Sequence, residues 1–393
     1  MARARSRHGA FGGWSGVNVH LRSLTSLRFV AAMLVLVFHL SVYANGLDPW
    51  GRIAAAGYVG VTFFFVLSGF VLTYSYNVGT PTLQFYRRRF ARIYPVHLLF
   101  LVVAMTPLAA PPNWAALPLN FTLLQAWSGD DRVVRSFSGV SWSLSCEVFF
   151  YAVLPLVARV VAKVRRPLRL AGLLLFGAFV VGLALHRTDP AWGHRLFYFP
   201  AFRLVEFVVG CLAAVAMRQG WVPALRMRWA CAGVVASYLA VLVLPSFVGH
   251  HVDGRWALTL TMVPSLVILI SVCARVDLVG APSTLQKGLF VSLGQWSYCI
   301  YMTHPVVIGL TLPLLASSQL LYALAGTLLV VMAVVGVSFV VHVACERPAE
   351  RLLRGKGYRR VSSRIEEAAE GSTNLEPTRT HESAIGGASV ALD

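Results

Sequence analysis

Charged residues are scarce in this sequence. Asp, Glu, Lys and Arg make up 13% of its 393 residues, while hydrophobic residues make up 57%. About a quarter of an average soluble domain is charged, so the scarcity argues against a soluble globular enzyme. Long apolar runs recur from residue 27 to about residue 345. Together they predict an all-α, polytopic membrane helical bundle rather than a globule with one anchor.

Acidic residues are scarcer than basic ones. The chain has 16 Asp and Glu against 34 Lys and Arg, a formal net charge of +18. Such a balance can indicate nucleic-acid binding. Here the basic residues lie in short connections between apolar runs, and membrane topology with acidic lipid headgroups explains that placement better. We therefore expect membrane lipids as partners and no nucleic acid.

Cysteines are few and have no metal-type spacing. All six lie inside apolar runs, where a cysteine behaves as a small hydrophobic residue. They are Cys146, Cys211, Cys231, Cys273, Cys299 and Cys345. We therefore expect no disulfide framework, and no residue pattern in the sequence predicts a metal site.

Apolar segments of spanning length occur about ten times. They lie at 27–44, 57–76, 93–110, 142–162, 168–186, 197–217, 229–247, 257–274, 290–314 and 320–344. The even-numbered connections between them hold four, five, three and two Lys or Arg, and the odd-numbered ones hold one, two, two, one and none. By the positive-inside rule, this alternation predicts a multi-pass protein of the plasma membrane with both termini in the cytoplasm. Residues 1–20 resemble a loose basic arm, residues 21–355 form the transmembrane domain, and residues 356–393 resemble a disordered cytoplasmic tail.

The first apolar run, "LTSLRFVAAMLVLVFHL" (24–40), contains two ionisable residues, Arg28 and His39. Eleven residues on an α-helix correspond to about 1,100°, so both side chains share one face and lie about 16 Å apart along the axis. Arg28 would lie near the cytoplasmic edge and His39 beyond the midplane. A simple alternative is that Arg28 is a snorkelling anchor and His39 an interhelical hydrogen bonder.

Other spans also contain ionisable residues, and each of these needs a partner or a purpose in the hydrocarbon region. His39, Glu147, Glu206 and His304 are all predicted about 9–14 Å below the outer surface. Four such side chains at similar depth indicate a polar cavity. The alternatives are that Arg203 and Glu206 neutralise each other at i,i+3, and that His304 caps a broken helix.

The segment "FYRRRFARIYP" (85–95) concentrates four arginines just before the third predicted span. Such a cluster usually sets topology alone. It can also bind a polyanion, because the arginine fork matches phosphate geometry.

Several of these segments occur in an order typical of one protein family. They are "LTSLRFVAAMLVLVFHL", "GYVGVTFFFVLSGFVLTYSY", "FYRRRFARIYP", "SWSLSCEVFFYAVLP", "FRLVEFVVGCLAA", "SYCIYMTHPVV" and "CERPAER". Together they resemble the membrane acyltransferase-3 family over residues 22 to 355. Family members transfer an acyl group, commonly acetyl, from cytoplasmic acyl-CoA to a hydroxyl. The family motifs map onto Arg28 and His39 (Arg-x10-His), Arg89 and Arg92 (Arg-x-x-Arg), and Trp142, Ser143, Leu144 and Glu147 (Trp-Ser-Leu-x-x-Glu).

The resemblance and the ionisable residues give one hypothesis about the site. His39 is the catalytic general base, and Glu147 orients it as the carboxylate does in hydrolytic triads. Arg28, Arg89 and Arg92 bind the anionic donor. The candidate cavity or acceptor contacts are Trp142, Ser143, Arg203, Glu206, Tyr301 and His304. Acyl-CoA, most simply acetyl-CoA, is then a co-substrate, with no bound cofactor and no metal.

The acceptor is less well defined by the sequence. Family acceptors include cell-surface glycans and, in antibiotic-producing bacteria, macrolides. The sequence shows no appended soluble domain and an Ala-, Arg-, Val- and Leu-rich composition typical of actinobacteria, which favours a secondary metabolite such as a macrolide over a cell-envelope polysaccharide or glycolipid. A proton-coupled transporter is the alternative of another class, although the sequence shows no internal repeat.

Overall fold

The computed structural model describes residues 21–43, 51–76, 81–106, 113–248, 254–311 and 320–354. Within these ranges every regular element is a helix, as predicted. The expected basic arm (1–20) and disordered tail (356–393) lie outside the described residues.

Ten long helices of 17 to 25 residues follow the ten predicted segments within the described part of the chain. They are α1 (Arg22–Tyr43), α2 (Val59–Ser75), α3 (Thr82–Val103), α4 (Trp142–Val161), α5 (Pro167–Thr188), α6 (Pro200–Arg218), α7 (Met227–Val248), α8 (Arg255–Val279), α9 (Gly288–Thr311) and α10 (Leu320–Val341). A π-helical turn, His342–Glu346, leads from α10 into α11 (Arg347–Arg354). Lipid leaves no water for backbone groups, and helices satisfy those groups internally.

Six of the described helices are long and apolar enough to cross a membrane: α1, α4, α5, α6, α8 and the helical run containing α10. α2 and α7 are apolar but shorter by the same measure. The chain is therefore a membrane helical bundle.

The third long helix begins eleven residues earlier than predicted. α3 starts at Thr82, so its first three turns include the four arginines that the sequence placed in a connection. The arginines are consequently held on a rigid helix whose side chains pack against α4 and α11. This placement fixes the direction in which Arg89 and Arg92 point.

The long connection before α4 is folded rather than open. Its segment "LPLNFTLLQAW" contains a five-residue helix, Leu117–Phe121, and a 3₁₀ turn, Gln125–Trp127. Asn120 is buried there, and its carbonyl lies 2.9 Å from Nε2 of His97 on α3. The segment therefore packs against α3.

The centre of the bundle is the pair α2 and α6, which run parallel at very short distance. A Cβ at Gly69 would collide with the carbonyl of Phe207, and a Cβ at Gly210 would collide with the carbonyl of Val66. Small residues let helix backbones approach closely in membranes. The glycine of "GYVGVTFFFVLSGF" at position 69 therefore serves helix packing.

α1 packs along α9, and the two helices run parallel. Gly294 lies against the backbone of Thr25 near their N-terminal ends, and His304 lies beside His39 near their C-terminal ends. α4 packs instead on α6, α3 and α2. This order of helices decides which ionisable residues meet.

Candidate active site

A cavity lies between α1, α2, α3, α4 and α9. Its empty volume is about 870 Å³, with the open space at its mouth included. We call the end of the bundle where α1 begins the lower end. The polar and charged side chains of the wall are Arg28, Ser68, Arg89, Arg92, Ser143, Glu147, Tyr151, Ser297, Tyr298 and Tyr301. The remaining wall is aliphatic and aromatic, which suits an acyl chain or a thioester arm.

Three arginines from two helices line the lower part of the cavity, and they are the three proposed from the sequence as donor-binding residues. Arg28 comes from α1, and Arg89 and Arg92 come from successive turns of α3. The guanidinium of Arg89 lies 5.9 Å from the ring centroids of both Phe85 and Tyr151. This part of the cavity is therefore an electropositive pocket with aromatic walls.

Glu147 belongs to this electropositive pocket. Tyr151, one turn further along α4, donates a hydrogen bond of 3.0 Å to its carboxylate, and Arg28, Arg89 and Arg92 are its electrostatic neighbours. The prediction that Glu147 orients His39 is therefore wrong. The physical reason is that α4 packs on α2, α3 and α6 while α1 packs along α9, so the carboxylate faces the cavity that the arginines also line and not the histidine.

Arg92 is largely committed to other residues. It forms ion pairs with Glu346 of the π-helical turn and with Glu350 of α11, the latter at 3.2 Å. Glu346 also accepts hydrogen bonds from Nδ1 of His342 at 2.5 Å and from the thiol of Cys299 at 3.1 Å. The network connects α3, α9 and the C-terminal helical run. Among the described residues Arg28 forms no ion pair of this kind, so Arg28 is a better candidate for an anionic ligand than Arg92.

The ligand-type atoms of Cys299, His342 and Glu346 all lie within 4.8 Å of one another. The hydrogen bonds and the ion pair with Arg92 satisfy these groups without a metal ion. All six cysteines are free, as expected from their spacing.

His39 meets His304. Nε2 of His304 lies 3.2 Å from Nδ1 of His39, and the ring centroids are 4.8 Å apart. The pair lies just above the cavity, because the ring of Tyr301, which lines the cavity, is 5.8 Å from that of His304. α9 continues through Pro305, so His304 does not cap a broken helix.

Arg203 and Glu206 form a closed, buried pair on α6. Their side chains are 2.7 Å apart and 0% and 1% exposed. The guanidinium also donates hydrogen bonds to Thr259 at 2.8 Å and to Thr62 at 3.2 Å. Neither residue lines the cavity, so their prediction as cavity contacts is wrong. The pair neutralises itself, which removes the cost of two isolated charges in the bundle.

Of three further predicted cavity contacts, two line the cavity and one does not. Ser143 and Tyr301 line the upper part of the cavity and share a hydrogen bond of 2.8 Å. Trp142 points away from the cavity and packs against Phe65 and Tyr198, so its prediction as a cavity contact is wrong. The reason is the helical angle of about 100° between consecutive residues, which turns Trp142 away from the face of Ser143.

Comparison with known protein families identifies the family of this chain. A family model for an acyltransferase domain, of the acyltransferase-3 type, matches residues 21–345. The chain belongs to the acyltransferase-3 family.

Several known proteins are similar in sequence to this acyltransferase over most of its length. Acyltransferase MdmB of Streptomyces mycarofaciens is 31% identical over 369 residues, which cover 85% of this chain and 93% of that protein. Peptidoglycan O-acetyltransferase OatA of Listeria monocytogenes is 25% identical over 342 residues, which cover 76% of this chain and 51% of that protein. O-acetyltransferase OatA of Staphylococcus aureus is 22% identical over 329 residues, 74% of this chain and 51% of that protein. No solved structure matches the chain significantly. The protein is an O-acyltransferase.

Sequence reasoning missed four polar residues of the acyltransferase cavity, namely Ser68, Tyr151, Ser297 and Tyr298. Tyr151 lies four residues after Glu147, and this spacing alone could have indicated its hydrogen bond. Tyr298, whose hydroxyl donates to the carbonyl of Ile93 at 2.7 Å, closes the wall between α9 and α3. No sequence signal pointed to Tyr298, because its partner is a backbone atom of another helix.

Proposed function

We propose that this protein moves a short acyl group, most simply acetyl, from cytoplasmic acyl-CoA to a hydroxyl of a secondary metabolite such as a macrolide. The observation that carries the proposal is a cavity that has arginines at its lower end and the His39–His304 pair directly above its upper end. Neither histidine lines the cavity, and we place the anionic end of the donor at the arginines and its acyl group at the end of the cavity below the pair.

The donor occupies the cavity from below. Arg28 and Arg89 bind the phosphates of the carrier, because guanidinium groups form charge-assisted hydrogen bonds with phosphate oxygens. The acyl-pantetheine arm extends upward between apolar walls over a length comparable to the 16 Å or so that separates Arg28 from His39 along α1. Glu147 balances the charge of the arginines near this region.

Chemistry takes place at His39. Its neutral imidazole removes the proton from the acceptor hydroxyl while the hydroxyl oxygen attacks the thioester carbonyl carbon. The tetrahedral intermediate collapses as the carbon–sulfur bond breaks, and the departing thiolate takes up the proton from the imidazolium. The product is an ester, and the acyl group passes directly from donor to acceptor without an acyl-enzyme.

The proposed topology has ten spans in the plasma membrane and both termini in the cytoplasm. It is supported by the alternation of basic residues between the predicted spans and by the directions of packed helices. α1 and α9 run parallel, as do α2 and α6, while α3 and α11 run antiparallel. When successive spans cross the membrane in alternating directions, two odd-numbered or two even-numbered spans run parallel. The helix that follows the tenth span then runs antiparallel to the third.

The acceptor is proposed from the comparisons. MdmB of Streptomyces mycarofaciens is 31% identical to this chain, whereas the peptidoglycan enzyme of Listeria monocytogenes is 25% identical. The likeness to that peptidoglycan enzyme favours a cell-envelope glycan as the second candidate.

The proposal is tested with purified protein in lipid nanodiscs, radiolabelled acetyl-CoA and two acceptors, a macrolide with free hydroxyls and soluble peptidoglycan fragments. We expect ester-linked label on the macrolide. Label on the glycan fragments alone would overturn the acceptor, and the absence of label on either compound would overturn acyl-CoA as the donor. In a parallel assay the same protein is reconstituted into sealed vesicles, and accumulation of unmodified macrolide inside them without any ester would instead support the transporter.

Replacement of Arg89 by Ala tests the donor site. We expect the KM for acyl-CoA to rise about 10- to 100-fold, since a hydrogen bond to a charged group contributes about 1.5–3 kcal/mol, while kcat changes little. Arg88→Ala is the matched control, because Arg88 is the neighbouring, exposed arginine on the same helix. Equal KM values for both variants would show that the arginines of residues 85–95 serve membrane topology and not donor binding.

A further inference from the structure

The partner of His39 is His304, which comes from a different helix and does not line the cavity. His304 is fully buried, whereas His39 is partly exposed. Around the pair are the apolar side chains of Leu36, Ile300 and Ile308. A polar contact in such surroundings is costly unless both members are satisfied.

The hydrogen bonds define the tautomer of each ring. Nδ1 of His304 lies 3.2 Å from the carbonyl of Ile300, and Nδ1 of His39 lies 2.8 Å from the carbonyl of Val35. A carbonyl oxygen only accepts, so both Nδ1 atoms carry the proton. Nε2 of His304 is then an acceptor for the Nδ1–H of His39. The carbonyl of Val35 accepts the same N–H, so this hydrogen bond has two acceptors. Nε2 of His39 is consequently left with a free lone pair, as a general base requires.

We propose that His304 is a positioning residue that holds the ring of His39 in its reactive orientation and stabilises the imidazolium formed during transfer. This inference rests on the proposed function, in which His39 is the base. Val35 belongs to the same helix as His39 and can fix which nitrogen carries the proton. His304 ties the ring to α9, and with it to Tyr301 at the top of the cavity.

His304 therefore takes the place that a carboxylate occupies in hydrolytic triads. A neutral acceptor suits a buried position better than a carboxylate, because an unpaired charge there would cost several kcal/mol. The Nδ1–H of a protonated His39 is a stronger donor than that of the neutral ring, so the bond to His304 strengthens as the transition state forms. An interaction that strengthens in the transition state raises kcat rather than lowering KM.

Two polar substitutions of His304 separate positioning from packing. The amide of Gln can replace Nε2, which contacts His39, whereas the amide of Asn replaces Nδ1, which contacts only Ile300. We expect H304N to lower kcat about 10- to 100-fold, as loss of an orienting partner typically does, with the KM for acetyl-CoA unchanged. We expect H304Q to remain within a few-fold of the wild type.

His97→Asn is the matched control, since His97 is also buried and hydrogen-bonded to a carbonyl, that of Asn120. Rates are measured per folded protein, quantified by size-exclusion chromatography of the purified variants. Equal loss in H304N and H304Q, or wild-type kcat in both, would overturn the inference, and so would failure of both variants to fold. His39→Ala is assayed in the same series: if it keeps full activity the proposed function fails, whereas an inactive His39→Ala beside a fully active H304N refutes the positioning role alone.

Discussion

Replacing His39 by Ala is expected to lower kcat by about 10²- to 10⁴-fold, the usual contribution of a general base. The KM for acetyl-CoA should change little, because in the proposed mechanism the donor phosphates are bound at the arginines, of which Arg28 lies about 16 Å from His39 along α1. His39→Gln is expected to lose as much, since an amide can hydrogen-bond a hydroxyl but cannot accept its proton. The measurement is the initial rate of ester formation from labelled acetyl-CoA by the purified variants.

The control for this prediction is His97→Ala. His97 is 2% exposed and bonds to the folded connection before α4 rather than to the cavity. Its replacement should leave kcat per folded molecule near the wild-type value. Wild-type kcat in His39→Ala would remove His39 from the chemistry.

Replacing Arg203 by Met is expected to lower the free energy of unfolding by about 3–5 kcal/mol, because it leaves the carboxylate of Glu206 buried without its partner. The two side chains are 2.7 Å apart and almost fully excluded from the surface. Met retains much of the volume that packs between the rings of Phe65 and Phe197. Loss of charge compensation is therefore the dominant effect. Thermal and denaturant unfolding of the purified protein in detergent measure the change.

The double variant Arg203→Met/Glu206→Gln distinguishes charge from packing. Once the carboxylate is removed as well, most of the lost stability should return, since a buried ion pair and an uncharged replacement are often similar in stability. Arg159→Met, at an exposed position of α4, should be nearly neutral. A double variant as unstable as Arg203→Met alone would show that the pair acts through shape and not through charge.

Much of the fold could be predicted from sequence, because a helix in lipid must satisfy its own backbone and its apolar length is visible in the chain. The shared face of Arg28 and His39 also followed from helix geometry alone. Their roles in catalysis and donor binding remain predictions. The start of α3 could not be predicted from hydropathy, because its first turns contain four arginines.

The partners of the ionisable residues were harder to predict. Depth along each span was a one-dimensional estimate that placed Glu147 and His304 equally near His39. Which of them meets His39 depends on the lateral order of the helices, and α9 rather than α4 packs along α1. For the same reason the ion pairs of Arg92 could not be predicted. Its partners lie on or beside α11, which packs antiparallel to α3 although it is more than 250 residues away in the sequence. Side-chain pairing between distant helices requires the three-dimensional structure.

Transfer of label from acetyl-CoA by the purified protein, compared between wild type and His39→Ala at saturating donor, tests the proposed mechanism most directly. We expect an ester-linked product that forms with the wild type and at least about 10²-fold more slowly with the variant. Equal rates for the two proteins, or no transfer from acetyl-CoA by the wild type, would contradict the proposed mechanism.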